Sequence, residues 1–342
     1  MLLKEVFDVW SGVRGFYELL SESIGQPQGL DTLLFCQSAS IIRFAADCLL
    51  SHTKRVLTTD LVWPAYRRVL NEVANARGCE LTTLPLKSRI FNGVATKGIL
   101  TKLLTETIRT AHCDGLFLTD ISNLGIGLPV EAVLSEVESV CRFVVVDGAQ
   151  AFRHRPVNLQ KAPCDLYLAG THKWLCSYHP LRIAFAGRHR HRDEIEAAAR
   201  EHCMHDPLLN FSRRLAKQDA FDSGETVNLA GLMAAAGAIQ DSMKSNSVHR
   251  WNRLRTNTHN LGRWFRGTPF RPVLNSPRLS TGILLLRQKK AARILKREDF
   301  ANQGLVVSTY PDGTIRLSMP EYGLSFQSIS TIVRSAVRAS LG

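Results

Sequence analysis

Between Leu33 and Ala186, short apolar runs recur that show little polar alternation, with helical stretches between them. Leu33–Cys36, Arg55–Thr59, Leu116–Asp120, Phe143–Val146, Leu166–Ala169 and Ile183–Ala186 read as strands. Ser38–Ser51 and Ala65–Arg77 read as helices between them. A strand with no polar side must be covered on both faces, as in a mainly parallel sheet sandwiched by helices. The runs are too short and too punctuated for a four-helix bundle. They also fall far short of the twenty or so apolar residues needed to cross a bilayer.

The chain has 342 residues, 45% of them hydrophobic, enough for a large domain and a smaller one. The pattern predicts a helical arm over 1–30, a large α/β domain over 31–245 and a compact α+β domain over 246–342. The arm helix is expected over Leu3–Ser23, and an alanine-rich helix over Asn228–Met243. In the C-terminal part the expected elements are a strand at Gly282–Leu286, a basic helix near Lys289–Arg297, a strand at Ile315–Ser318 and a last helix from Phe326. The opening residues carry two acids and no small-residue cleavage site, so they do not read as a signal peptide, and a cytoplasmic setting is expected. The eight cysteines form no close CxxC pair, which favours reduced, buried thiols over disulfides or zinc; no metal is expected. The formal charge is +13, but the basic residues are scattered, so a solvated basic surface with some anion sites is preferred over nucleic-acid binding.

The densest chemical signal lies in FVVVDGAQAFRHRPVNL followed by CDLYLAGTHKWL. One buried strand delivers Asp147 to its C-terminal edge, where functional groups of open α/β sheets collect. The next delivers Thr171, His172 and Lys173 to the same edge, with Lys173 26 residues beyond the aspartate. A lysine at such a place must be solvated, paired or covalently used, and a Schiff base is the covalent option. Taken alone, the set is either catalytic or an N-capping threonine followed by an exposed lysine.

The spacing resembles the class V aminotransferase and cysteine desulfurase group of fold-type I enzymes that use pyridoxal 5′-phosphate (PLP). Their pattern is approximately VDxxQxxxHxPxDxxxxxxDxxxxxxHKW, and this chain reads VDGAQAFRHRPVNLQKAPCDLYLAGTHKW. Asp147, Gln150, His154, Pro156, Asp165, His172 and Lys173 are in phase, while Asn158 replaces the middle aspartate. The resemblance implies the PLP-dependent transferase fold (type I), and roles for particular residues. Lys173 would bond the cofactor and move the proton, and Asp147 would pair with the pyridine nitrogen. Gln150 would face the ring hydroxyl, and His172, with Thr171, the phosphate. Ser38 and Ala39 stand in the family's phosphate turn, Trp63 where an aromatic stacks on the ring, and Asn123 near the ring hydroxyl. Thr226 would reach the phosphate of a neighbouring subunit, which implies a homodimer with the site at the subunit interface. Arg316 would grip the substrate carboxylate. The loop after Lys173 departs from the family's glycine-rich pattern, and Arg182 in it reads either as a contact for a second anionic group or as a structural residue.

The same residues serve several reactions. An aminotransferase acting on a small amino or keto acid, through an external aldimine and a quinonoid, is the preferred reading. A PLP-dependent lyase (C–S or β-elimination) or epimerase, and a noncatalytic PLP-fold protein, remain alternatives. A standard desulfurase is disfavoured because no cysteine follows Cys203, unless a nearer thiol such as Cys176 is used.

Overall fold

The computed structural model describes residues 12–93, 95–215, 227–274, 278–289 and 294–341. They fall into two compact units. The first comprises Met1–Pro85, Leu100–Asp120 and Pro129–Ser247. The second comprises Leu86–Ile99, Ile121–Leu128 and Val248–Gly342.

The first unit is built on seven strands: β1 Thr32–Phe35, β2 Arg55–Thr59, β3 Glu80–Leu84, β4 Gly115–Thr119, β5 Phe143–Asp147, β6 Leu166–Gly170 and β7 Arg182–Ala186. Their order is β1-β7-β6-β5-β4-β2-β3. Strands β3, β2, β4, β5 and β6 run parallel, and β7 is antiparallel to both β6 and β1. The reversal has a simple cause. Only residues 171–181 separate β6 from β7, too few for the crossover helix a parallel return needs. Every residue of β4, β5 and β6 is buried, as their unbroken apolar runs require. Strand β3, ELTTL, is a half-exposed edge strand with polar residues, and its sequence carries no buried-run signal.

Helices cover the sheet where the sequence gives them an apolar stripe. Helix Ser38–His52 buries Ile41, Ile42, Phe44, Ala45, Ala46, Cys48, Leu49 and Leu50, each large side chain contributing about 1.5–3 kcal/mol relative to exposure. Helix Pro64–Arg77 starts with Pro64 in its first turn, where the missing N–H costs nothing, and ends at Gly78 in the left-handed conformation (φ 64°). Helix Ala230–Lys244 closely matches the alanine-rich stretch read from the sequence, and the arm helix is described from Gly12 to Ile24.

The second unit holds an antiparallel sheet of order β10-β11-β9-β8, with β8 Phe270–Pro272, β9 Ile283–Gln288, β10 Ser308–Thr309 and β11 Thr314–Ser318. Helices Ser247–Phe265 and Phe326–Leu341 belong with it. Strand β9 continues to Gln288 and the next helix is Arg297–Ala301. The described residues in the expected 289–297 stretch are therefore not helical before Arg297. Among the described residues, no helix is long and apolar enough to cross a membrane. None of the eight cysteines is in a disulfide, and only Cys36 and Cys176 are exposed.

Candidate active site

Strand register decides which side chains share an edge. Asp147 ends β5 and Gly170 ends β6, so Asp147 and the turn 171–173 emerge on one edge of the sheet. Arg182 begins β7 opposite Gly170 on one side and Phe35, the last residue of β1, on the other. The helix that starts at Ser38 opens beside it. Residues separated by more than a hundred positions are thus brought together by pairing alone.

Asp147 is 6% exposed. Its Oδ1 accepts a hydrogen bond from the Ala149 N–H at 3.1 Å. Burial holds its carboxyl above the ordinary range, and nearby Asp120 adds to this, while Lys173 and the Ala149 N–H pull the other way. A cation beside it would therefore be strongly favoured. Lys173 is half-buried and lies close enough to Asp147 and His172 for its charge to be felt by both.

At the other end of this edge, Arg182 Nε donates to Ser38 Oγ at 2.6 Å, and Arg182 Nη1 donates to His172 Nδ1 at 3.0 Å. Burial, with the neighbouring Arg182 and Lys173 cations, lowers the His172 pKa to about 4. His172 is therefore neutral near pH 7, with its proton on Nε2 as a further donor. Helix Ser38–His52 has no acid in its first turn and no side-chain cap, and Ala39 is exposed there. The free N–H groups at its start add to the positive end of the helix dipole. Ser38, Ala39, His172 and Arg182 together form a corner of hydrogen-bond donors and positive charge.

Tyr66, which the sequence reading passed over, joins this corner. Its phenol is pushed up to about 12 by burial and by Asp147, against the opposing effects of Arg182 and a hydrogen bond with Ser38. It stays a neutral hydroxyl. Its position three residues after Trp63, one turn into helix Pro64–Arg77, was the available signal. Trp63 itself is 47% exposed, before Pro64.

The floor of the site is a packed polar network. Gln150 Oε1 accepts from Trp174 Nε1 at 3.0 Å, and the Trp174 ring stacks on His154 at 3.5 Å. His154 Nδ1 lies 2.8 Å from the Gln150 carbonyl. The Gln150 carbonyl oxygen and amide oxygen are both engaged, which leaves Nε2 as the donor for a ligand. Asp120 is held by Arg155 through Nε at 2.8 Å and Nη2 at 3.0 Å, and by Tyr167 Oη at 3.1 Å. Gly148, next to Asp147, lies on the Tyr167 ring so closely that a Cβ would come within 2.0 Å of it.

Some expected residues take other positions. The Thr171 hydroxyl donates to the His179 carbonyl at 3.2 Å and accepts from the Leu181 N–H at 2.9 Å, so it clamps the 171–181 loop. Asp165, in phase with the motif, precedes β6 at the opposite edge, where it is locked to Arg190. Asn158 Oδ1 accepts from the Gln160 and Lys161 N–H groups in a local turn. Asn123 and Arg316 belong to the second unit. There Asn123 lies in the turn closed by the Gly125 N–H to Ser122 carbonyl bond, and Arg316 in β11 has a buried Nε without a hydrogen-bond partner. Thr226 lies outside the described residues.

Residues 24–178 match the family model described as aminotransferase class-V. A cysteine desulfurase of Pectobacterium atrosepticum is 35% identical over 102 residues, which is 30% of this chain and 23% of that relative. The matched segment thus spans less than a quarter of the relative's length. Among solved structures, the cysteine desulfurase CsdA of Escherichia coli superposes with a TM-score of 0.75 at 16% identity, covering 98% of this chain and 84% of that one. The ureidoglycine–glyoxylate aminotransferase of Bacillus subtilis gives 0.73 at 16% identity, covering 98% and 89%. Residues 24–178 are thus similar to class V aminotransferases, and the fold over nearly the whole chain is that of these solved enzymes.

Proposed function

We propose, taking the chain as a class V PLP-dependent enzyme, that it moves an amino group between a small amino acid and a keto acid. One observation carries this reading: neighbouring parallel strands bring Asp147 and Lys173 to one edge, beside a corner of hydrogen-bond donors and positive charge. The residues fit the group on their own chemistry. Asp147 is a buried carboxyl held above its ordinary range, suited to a protonated pyridine nitrogen. Ser38, the N–H groups that follow it, His172 and Arg182 suit a phosphate. In this reading Arg182 serves the phosphate rather than a second substrate anion. Trp63 offers a flat face for the ring, Gln150 a donor for the ring hydroxyl, and Thr171 holds the loop that carries His172 and Lys173.

Bound PLP supplies an electron sink for charge developing at the substrate Cα. Asp147 would pair with the protonated pyridine nitrogen that makes the sink effective. Lys173, placed at the strand end, would hold the cofactor through Nζ, and the same amine would be the group that takes and returns the substrate Cα proton. Thr226 would serve the phosphate of a second copy, so the reading includes a homodimer, which sedimentation of the PLP-loaded protein measures. The expected cytoplasmic setting remains part of it.

A second reading has its own observation. Cys176 is exposed, three residues after Lys173, with a positive φ of 58° and its Sγ 3.3 Å from the Lys173 carbonyl. That thiol sits where it could accept sulfur in a C–S lyase reaction. The test is the visible spectrum of the PLP-loaded protein, followed by an amino-acid panel with and without a keto acid. Amino transfer requires a lysine-bound absorbance that Lys173→Ala removes, and a new amino acid made only when a keto acid is present. Sulfide or a protein persulfide released from cysteine, and lost in Cys176→Ala, favours the second reading. No PLP-dependent absorbance at all overturns both.

A further inference from the structure

At the edge of the sheet opposite Lys173, three side chains from separate elements converge. His52 ends helix Ser38–His52, His191 closes the 3-10 turn His189–His191, and Glu194 lies in the first turn of helix Arg192–His202. One ligand atom of each lies within 4.8 Å of the others.

The backbone fixes the tautomers. His52 Nδ1 is 2.7 Å from the Cys48 carbonyl, and His191 Nε2 is 2.9 Å from the Arg142 carbonyl. A carbonyl only accepts, so each of these nitrogens carries the N–H, and the other nitrogen of each ring carries a lone pair. For His191 that is Nδ1, which is buried and has no hydrogen-bond partner. The Glu194 Oε1 atom is 3.7 Å from it, beyond hydrogen-bond reach. Phe143 packs on both imidazoles, with ring centroids at 5.3 Å from His52 and 5.1 Å from His191, and the imidazoles are 5.0 Å apart.

Two imidazole lone pairs and one carboxylate form a set of acceptors without a donor among them. Each histidine also has its far N–H bonded to a carbonyl, the outer arrangement that orients imidazoles for metal binding. We propose that His52, His191 and Glu194 bind one first-row divalent cation of the zinc class, with solvent completing a four-coordinate site. The ion would tie the end of helix Ser38–His52 to the start of helix Arg192–His202. Its role there is structural, since the sheet separates it from the edge that carries Lys173.

The test uses untagged, PLP-loaded protein stripped with a chelator and titrated with Co²⁺, then with Zn²⁺. The expected result is about one equivalent of Co²⁺ per chain, with visible d–d bands of low coordination number and no thiolate charge-transfer band, displaced by Zn²⁺. His191→Gln and His52→Gln should each weaken binding by more than about 100-fold, beyond the usual loss from an outer-shell change. Glu194→Gln, a surface change that keeps both imidazoles, should weaken it less. The far-ultraviolet circular dichroism and PLP absorbance of each variant establish that it is folded. Failure of the folded wild-type protein to bind Co²⁺ at micromolar concentration overturns the proposal. So does binding that persists in folded His191→Gln, or that shows a thiolate band.

Discussion

Asp147 and Asp165 are both buried aspartates at the ends of central strands, yet they are held in different ways. Asp165 accepts from Arg190 Nε and Nη2 at 2.9 and 2.8 Å and from the Val144 N–H at 2.7 Å, with Arg188 Nη1 at 3.6 Å. Its charge is well compensated. Asp147 has a backbone N–H, a lysine whose charge partly offsets its burial, and a carboxyl that stays raised. A saturated carboxylate holds a fold together, whereas an under-compensated one attracts a cation. The comparison also relocates part of the chain's positive charge. Arg188 and Arg190, which read as solvated surface, neutralise a buried acid.

This contrast can be broken by substitution. The largest expected effect is on activity. Asp147→Asn should lower kcat/KM by about 100- to 1000-fold, as removal of a preorganised electrostatic partner does. The PLP-free protein should be as stable at pH 7 or more so. A raised carboxyl contributes stability that is complete below its unfolded pKa and lost as pH rises through its folded pKa, so the amide removes a cost present at neutral pH. Asp165→Asn should do the reverse. Breaking a buried ion pair costs about 3–5 kcal/mol, reduced to about 2–4 here because Arg190 is 34% exposed. Urea unfolding of the two variants, alongside steady-state rates, measures both halves. Equal stability losses in the two variants would erase the distinction.

A smaller effect probes the packing beneath Asp147. Gly148→Ala places a methyl group against the Tyr167 ring, and overpacking of this kind costs about 1–3 kcal/mol. Combining it with Tyr167→Leu should recover much of that loss in the same unfolding measurement, because the rigid ring is removed. The smallest effect concerns His172. Its folded pKa is about 4 against an ordinary 6.5, so its contribution to stability is complete above pH 6.5 and is lost as pH falls from there toward 4. The urea midpoint of the wild type should therefore fall relative to that of His172→Gln across this window.

The central strands were readable because burial on both faces leaves an apolar run in the sequence, as in β4, β5 and β6. Strand β3 was not, because an edge strand with polar residues loses that mark. The segment from Asp147 to Lys173 could be read because one strand–turn–strand passage carries both residues within 26 positions. The Arg182–Ser38 contact could not, since the two residues lie 144 positions apart.

The sequence by itself determined the layered α/β architecture and the local placement of Asp147, Gln150, His172 and Lys173. Periodicity and short-range spacing encode those directly. Only the tertiary structure decided which aspartate is saturated and which is poised, that Arg182 stands with Ser38 and His172, and that His52 meets His191 and Glu194. Each depends on strand register and helix docking between distant segments. Hydrogen-bond saturation and the electrostatic field at a carboxyl are properties of that assembled neighbourhood, which local residue patterns do not carry.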